Sequence, residues 1–148
     1  MAEQNKRIGR RLRVLGNLVR RHIDNSCTKK EIDELTGTNG RIIGYIARSG
    51  ERPVYQRDLE REFGITRSTA SKVVILMEKK GFIVRGSAEH DARLKQLILT
   101  DRSREIVSMM DADAERTEKK LTEGFDDKEL ETLRGYFDRM IENMSKEK

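Results

Sequence analysis

The stretch Leu59–Gly81, LEREFGITRSTASKVVILMEKKG, decides the fold. Leu59 and Phe63 stand four apart, which sets two apolar side chains on one helix face. Gly64 breaks that helix, because glycine accepts a positive φ at no steric cost. Ile65 turns inward, and the Thr66 hydroxyl is placed to cap a second helix by accepting from its free N–H groups. Ala70, Val73, Val74 and Met77 give the second helix its inner face, and Gly81 stops it. Thr66, Arg67, Ser68, Thr69, Ser71 and Lys72 then fall on its first turns. Two helices joined by a glycine turn make a helix-turn-helix. Short hydroxyls let a helix backbone come close to a major groove, and the cations and hydroxyls donate to phosphates and base edges. An ordinary helix pair with a polar N-terminus has the same local pattern, so the rest of the chain must decide.

Downstream, Phe82–Arg85 and Leu94–Leu99 read as two short strands. The polar run from Gly86 to Arg93 is too long for a tight turn and reads as an extended hairpin loop. A β-ribbon directly after a helix-turn-helix is the winged arrangement. Its candidate DNA contacts are Arg85, Ser87, His90, Asp91, Arg93 and Lys95. An arginine near the ribbon tip suits the narrow, electronegative minor groove. Asp91 is placed to hold the Arg93 guanidinium in a fixed pose.

Thr100 then caps a long helix, with Asp101 at its positive end and Ile106, Met110, Ala114, Thr117 and Leu121 as its inner face. Gly124 ends it. Asp126 and Glu129 form a reciprocal cap for a last helix, with Phe125 placed to staple onto Leu130. That helix carries Leu130, Leu133, Phe137, Met140, Ile141 and Met144. Upstream, Ile8, Leu12, Leu15, Val19 and Ile23 form one stripe on a helix of roughly residues 5–25. Thr36 reads as the N-cap of a helix carrying Ile42, Ile43 and Ile46, ended by Gly50 and Pro53, and Cys27 falls in the connection before it.

The expected fold is mainly α (α+β): a single unit over residues 1–148, with a winged helix-turn-helix over 36–100. Helices over 5–25 and 101–146 serve dimerisation. Hydrophobic residues make up 35% and charged residues 39% of the 148 residues, a thin core that a helical chain supplements with a partner's surface. The stripe residues Ile8, Leu12, Leu15, Val19, Leu130, Leu133, Phe137 and Ile141 are therefore assigned to a homodimer contact.

Charge is unevenly spread. Residues 41–110 hold fourteen Lys/Arg against nine acids, and residues 111–148 hold eight against twelve. The basic middle suits a polyanion, and the acidic tail faces elsewhere. Residues 1–30 hold nine Lys/Arg against two acids; Arg10, Arg11, Arg13, Arg20 and Arg21 either add phosphate contacts or stay solvated, and solvation is the simpler reading. No run of about 18 apolar residues suggests a membrane span, and the charged N-terminus does not read as a secretion signal. The single cysteine suits the cytosol, so a cytoplasmic protein without membrane contact is expected.

Leu35-Thr36, Asp58-Leu59, the run Phe63 to Ser71, Leu76-Met77-Glu78-Lys79-Lys80-Gly81-Phe82-Ile83, and Asp91-Ala92-Arg93 leading to Leu99-Thr100 together resemble the MarR family, the multiple antibiotic resistance regulators. The resemblance covers nearly the whole chain and is most specific from about Asp58 to Thr100. It implies a homodimer joined through the first and last two helices, repression by covering a promoter palindrome, and release on binding a small, often phenolic, effector. It also implies that the helix from Thr66 reads the major groove and that Arg93 enters the minor groove. Departures are Tyr55, where the family often has a small capping hydroxyl, and Asn39, Gly40 and Gly44, where a stronger helix former is common.

Sensor candidates are few. His22, Tyr45 and Tyr55 are candidates for lining an effector cleft, although each alone is readily explained by packing with a polar tip. Some MarR-like regulators sense oxidants through an N-terminal cysteine; Cys27, with Lys29 and Lys30 nearby, is the candidate here, but it has no resolving partner in the chain and a bystander thiol is favoured. Two histidines and one cysteine far apart do not make a metal site, and no cofactor is expected. No nucleophile–histidine–acid set is visible, so an enzyme is not expected. An architectural DNA-binding protein without sequence choice is the alternative to a regulator.

Overall fold

Helices α1 (Ile8–Asp24), α2 (Cys27–Thr36), α3 (Gly40–Arg48), α4 (Gln56–Phe63) and α5 (Arg67–Lys79) are followed by strands β1 (Ile83–Ser87) and β2 (Lys95–Leu99) and by helices α6 (Asp101–Leu121) and α7 (Asp127–Ser145). The computed structural model describes residues 6–146. The helix start expected at residue 5, and residues 1–4 and 147–148 of the single-chain unit, lie outside them. The chain divides into two compact units, one running to Ala114 and one from Glu115. No helix among the described residues is long and apolar enough to cross a membrane.

The core of the first unit joins Ile43 of α3, Leu59 of α4, Val74 and Met77 of α5, Phe82 and Ile83 at the start of the hairpin, Leu97 of β2 and Ile106 of α6. The strands pair antiparallel from Ile83 opposite Leu99 to Ser87 opposite Lys95. Gly86 and Ser87 thus extend the first strand beyond the expected Arg85, because cross-strand pairing continues for as long as both backbones stay extended. The segment before α4 adds to the same sheet. Leu97 N donates to Val54 O at 2.8 Å, and Tyr55 bridges to Gln96.

The start of α6 grips the end of α5. Thr100 Oγ1 donates to Gly81 O at 2.6 Å, Ser103 Oγ donates to Phe82 O at 2.6 Å, and Arg102 Nη1 donates to Lys80 O at 2.6 Å. The Arg102 guanidinium also lies 4.7 Å from the Phe82 ring centroid. Three successive carbonyls of the turn after α5 are thereby satisfied by α6 and its cap. Thr100 also accepts from Ser103 N at 3.4 Å, the capping contact expected of it.

Thr36 is a correction. It ends α2 instead of starting the next helix: its buried hydroxyl donates to Ile32 O at 2.7 Å, one turn back. Gly37, at φ 59°, then stops α2. A 3-10 turn (Gly37–Asn39) leads into α3 without a side-chain cap. Cys27 accordingly lies in the first turn of a helix, not in a connection, and Ser26 caps that helix by accepting from Lys29 N at 2.9 Å. Of the glycines of α3, Gly40 has a packing reason. A Cβ at Gly40 would stand 3.0 Å from Thr36 Oγ1 and 3.3 Å from Ile32 Cγ2, and a Cβ at Gly44 would stand 3.0 Å from Arg48 Nη1, the far end of a flexible side chain. A side chain at Gly40 would therefore press on α2, whereas the mobile end of Arg48 could give way at Gly44.

In the second unit, Asp126 accepts from Glu129 N at 2.8 Å and Glu129 accepts from Asp126 N at 3.0 Å, the reciprocal cap read from the sequence. Neither α1 nor α7 contains a buried residue. The inner face expected for α6 is buried at Ile106 and half-buried at Met110 and Thr117, while Ala114 and Leu121 are exposed.

Candidate nucleic-acid interface

The interface is built on the α4–α5 corner. Tyr55, which lacks a small hydroxyl, is compensated by Asp58: its buried carboxylate accepts from Tyr55 N at 2.8 Å, and Asp58 N donates to Tyr55 O at 3.0 Å. Gly64 turns the chain at φ 60°, ψ 35°, and Ile65 N closes the corner on Glu60 O at 3.2 Å. Thr66 Oγ1 accepts from Thr69 N at 3.2 Å and donates to Thr69 Oγ1 at 2.9 Å. Thr66 is thus committed to the cap, and the Thr69 hydroxyl keeps its own proton to donate outward. Ser68 joins the cluster at 3.2 Å from Thr66 Oγ1. Gln56 Nε2 donates to Arg67 O at 3.3 Å, tying the starts of α4 and α5 together.

Thr66, Arg67, Ser68, Thr69 and Lys72 are exposed, whereas Ser71 is half-buried. The Arg67 and Lys72 side-chain cations have no partner among the described residues. Such cations need no desolvation from an internal ion pair before they meet a phosphate.

The ribbon sorts its cations differently. The Arg85 guanidinium is ion-paired with Glu78, which fastens β1 to the end of α5. Lys95 Nζ donates to Ser87 Oγ at 3.1 Å across the strand pair. Arg93 alone of these three keeps a free guanidinium among the described residues. Asp91 does not hold that guanidinium as expected. Its carboxylate accepts from the Arg93 backbone N–H at 2.9 Å, and Leu94 N returns to Asp91 O at 3.0 Å. A short aspartate side chain reaches the amide two residues on more readily than the end of a long arginine. Asp91 therefore shapes the ribbon tip that presents Arg93. His90 is exposed in the same tip.

The effector candidates fall in separate places. His22 is exposed on α1. The Tyr45 ring meets Phe63 edge-on at 5.9 Å, and its hydroxyl accepts from Arg52 Nη2 at 3.1 Å. That bond raises the pKa of Arg52 above its ordinary value. Tyr55 lies under the Arg57 guanidinium, 5.4 Å from the ring centroid. A half-open cleft of about 420 Å³ lies between α3, β2 and α6. Ile46, Val54, Leu97 and Val107 line it, with Arg52 and Arg104, and none of the three candidates does. Its walls come from distant segments, so no local motif announces it. Cys27 is exposed, and Lys29 is paired with Asp33. No cluster of potential metal ligands occurs among the described residues.

A family model described as MarR family matches residues 33–94. The chain is 36% identical to the transcription regulator MarR from Oenococcus oeni PSU-1 over 92% of its own length and 99% of that chain, with a TM-score of 0.53. It is 26% identical to the uncharacterized HTH-type transcriptional regulator YybA of Bacillus subtilis (strain 168), over 92% of this chain and 89% of that protein. In fold it is similar to Staphylococcus aureus MepR, solved as a DNA complex, with a TM-score of 0.66 at 20% identity over 93% of this chain and 96% of that one. The identity and coverage shared with the Oenococcus regulator, together with the family match across the helix-turn-helix and the first strand of the ribbon, establish that the chain belongs to the MarR family of winged-helix transcription regulators.

Proposed function

We propose that this chain is a sequence-specific regulator that binds double-stranded DNA as a homodimer, represses from a palindromic promoter site, and is released by a small aromatic effector. One observation carries the reading. Arg67 and Lys72, on the helix of the exposed Ser68 and Thr69 hydroxyls, and Arg93 in the ribbon keep side-chain cations without a partner among the described residues, on a winged helix-turn-helix core. The DNA complex of MepR, similar in fold, supports the same partner here. The incompletely covered stripes of α1 and α7, exposed at Ile8, Leu12, Leu15, Leu133 and Ile141 and half-buried at Val19, Leu130 and Phe137, support a second copy. A two-fold dimer presents two recognition helices, so half-sites should lie one helical turn apart, about 34–36 Å. Selection of bound duplexes from a random library, followed by footprinting, tests this. Two symmetric protected halves are expected, with much weaker binding to random DNA at moderate salt. Equal affinity for palindrome and random duplex would instead mark an architectural protein.

A second observation favours an anionic effector. The cleft between α3, β2 and α6 pairs apolar walls with Arg52 and Arg104. A ring would fill the apolar part and a carboxylate would meet the guanidinium groups. Titration with benzoate should release bound operator, and Arg104→Ala should weaken that release without weakening DNA binding. Unchanged release by the variant would place the effector elsewhere.

A further inference from the structure

We infer that Ile75 is a base-reading residue of α5 that packs on the 5-methyl group of a thymine in the major groove. The inference rests on the DNA-binding reading above and names a chemical group that α5 recognises.

The starting observation is an aliphatic side chain on the wrong side of its helix for a core residue. Ala70, Val74 and Met77 are 0%, 1% and 0% exposed, whereas Ile75 is 54% exposed. Helical spacing puts Ile75 on the row of Ser68, Ser71, Lys72 and Lys79, at steps of three and four. Ser68, Lys72 and Lys79 are all exposed on that row. The apolar patch therefore lies between two cations, which suits a groove whose walls are phosphates and whose floor carries methyl groups. The one acid within α5, Glu78, is neutralised by Arg85, so the approach is not opposed by a free carboxylate.

Reach agrees with this placement. Ile75 lies eight positions after Arg67, about 12 Å along a helix axis, and the major groove is about 12 Å wide. Both can lie in one groove. Among the four bases only thymine presents a methyl there, and a branched aliphatic chain gains by excluding water from it. The hydroxyls at the helix start would read hydrogen-bonding edges, and Ile75 would read the methyl.

The experiment replaces single atoms in the DNA. The operator recovered by selection is resynthesised with each thymine, in both half-sites together, replaced by uracil, which lacks only the methyl. At one position wild-type protein should bind about fourfold more weakly per methyl lost. Ile75→Ala should lose that discrimination and bind the thymine and uracil operators alike. Ile75→Val, which keeps its branched methyls, should retain part of it. Wild-type protein that binds its operator far better than random DNA, yet ignores uracil at every position, overturns the inference and leaves the regulator reading intact. Ile75→Ala that keeps the full uracil effect overturns it too. A chain that selects no sequence at all overturns both readings. The wild-type uracil scan needs no variant, so a poorly folding Ile75→Ala does not rescue the idea.

Discussion

Helices α5 and α7 are both amphipathic, but only one of them buries its stripe. In α5 the residues Ala70, Val74 and Met77 are at most 1% exposed, covered by α4, the hairpin and α6. In α7 no residue is buried, and Ile141 and Met144 stand 62% and 68% exposed. The same holds for α1, where Ile8 and Leu18 are 56% and 55% exposed. A stripe this apolar on a helix is normally covered. The contrast separates what one chain covers internally from what it leaves uncovered, which the proposed second copy would cover.

The strongest way to break that contrast is to charge the α7 stripe. Leu133→Glu with Ile141→Glu would place four carboxylates in a symmetric contact, each costing several kcal/mol if buried unpaired. Sedimentation should give a monomer where the wild type gives a dimer, and operator affinity should fall more than a hundredfold, to roughly that of a single half-site. A double variant that remains a dimer and binds normally would show that α7 does not form the contact.

Phe82→Ala tests the other side, the covered core. Phe82 is 0% exposed, its ring lies under Arg102, and its carbonyl is held by Ser103. Truncation should cost about 3–5 kcal/mol of stability. A lower denaturation midpoint at unchanged slope is the expected result. Because this loss arises inside one chain, it should not depend on protein concentration beyond the wild type's own dependence. A purely concentration-dependent loss would mean that Phe82 acts through the dimer.

The same contrast explains what could be read from the sequence. The α4–Gly64–α5 corner was legible because its signals are local: a four-residue apolar step, a glycine, a capping threonine and a second apolar step. The reciprocal cap of Asp126 and Glu129 is equally local. Helix α2 was not legible. Within Cys27–Thr36 only Ile32 is a buried apolar residue, while Leu35 is 47% exposed, so no periodic stripe marks the helix. Thr36 misled because a threonine hydroxyl serves either end of a helix, and only the fold shows which backbone group it meets. The exposed hydroxyls and cations of α5 were legible by position; the half-burial of Ser71 depends on what packs beside it. The partner of Arg85 was hidden because Glu78 lies on another element, and the cleft was hidden because α3, β2 and α6 meet only in three dimensions.

Within the interface, Arg93 and Arg85 sharpen the comparison between a free and an engaged cation. Arg93→Ala should weaken operator binding about tenfold and reduce the salt slope by about one counterion. Arg85→Ala should change the slope less, because its charge is already paired with Glu78. Its loss should come instead from a looser ribbon, and Glu78→Ala should produce a loss of the same kind. Equal slope changes for Arg85→Ala and Arg93→Ala would mean that the pair opens on DNA and that both arginines meet phosphate.

The smallest expected effect separates two roles for Asp91. A clamp on the Arg93 guanidinium would need a full negative charge. A cap on the Arg93 backbone N–H, the contact at 2.9 Å, needs only an acceptor oxygen in the same place. Asparagine keeps that oxygen and drops the charge. Asp91→Asn should therefore bind operator as well as the wild type, or slightly better, since one negative charge near the phosphates is gone. Asp91→Ala loses the acceptor and frees the tip, an exposed-turn cost on the order of 0.5–1 kcal/mol, or about two- to fivefold in affinity. In an Arg93→Ala background the same Asp91→Ala change should cost little, because the turn then has no guanidinium to present. Both measurements are equilibrium titrations at one salt concentration, with melting curves to establish that each variant is folded. If Asp91→Asn lost as much as Asp91→Ala, the charge itself would be needed, and the carboxylate would have to leave the backbone for the guanidinium when DNA is bound.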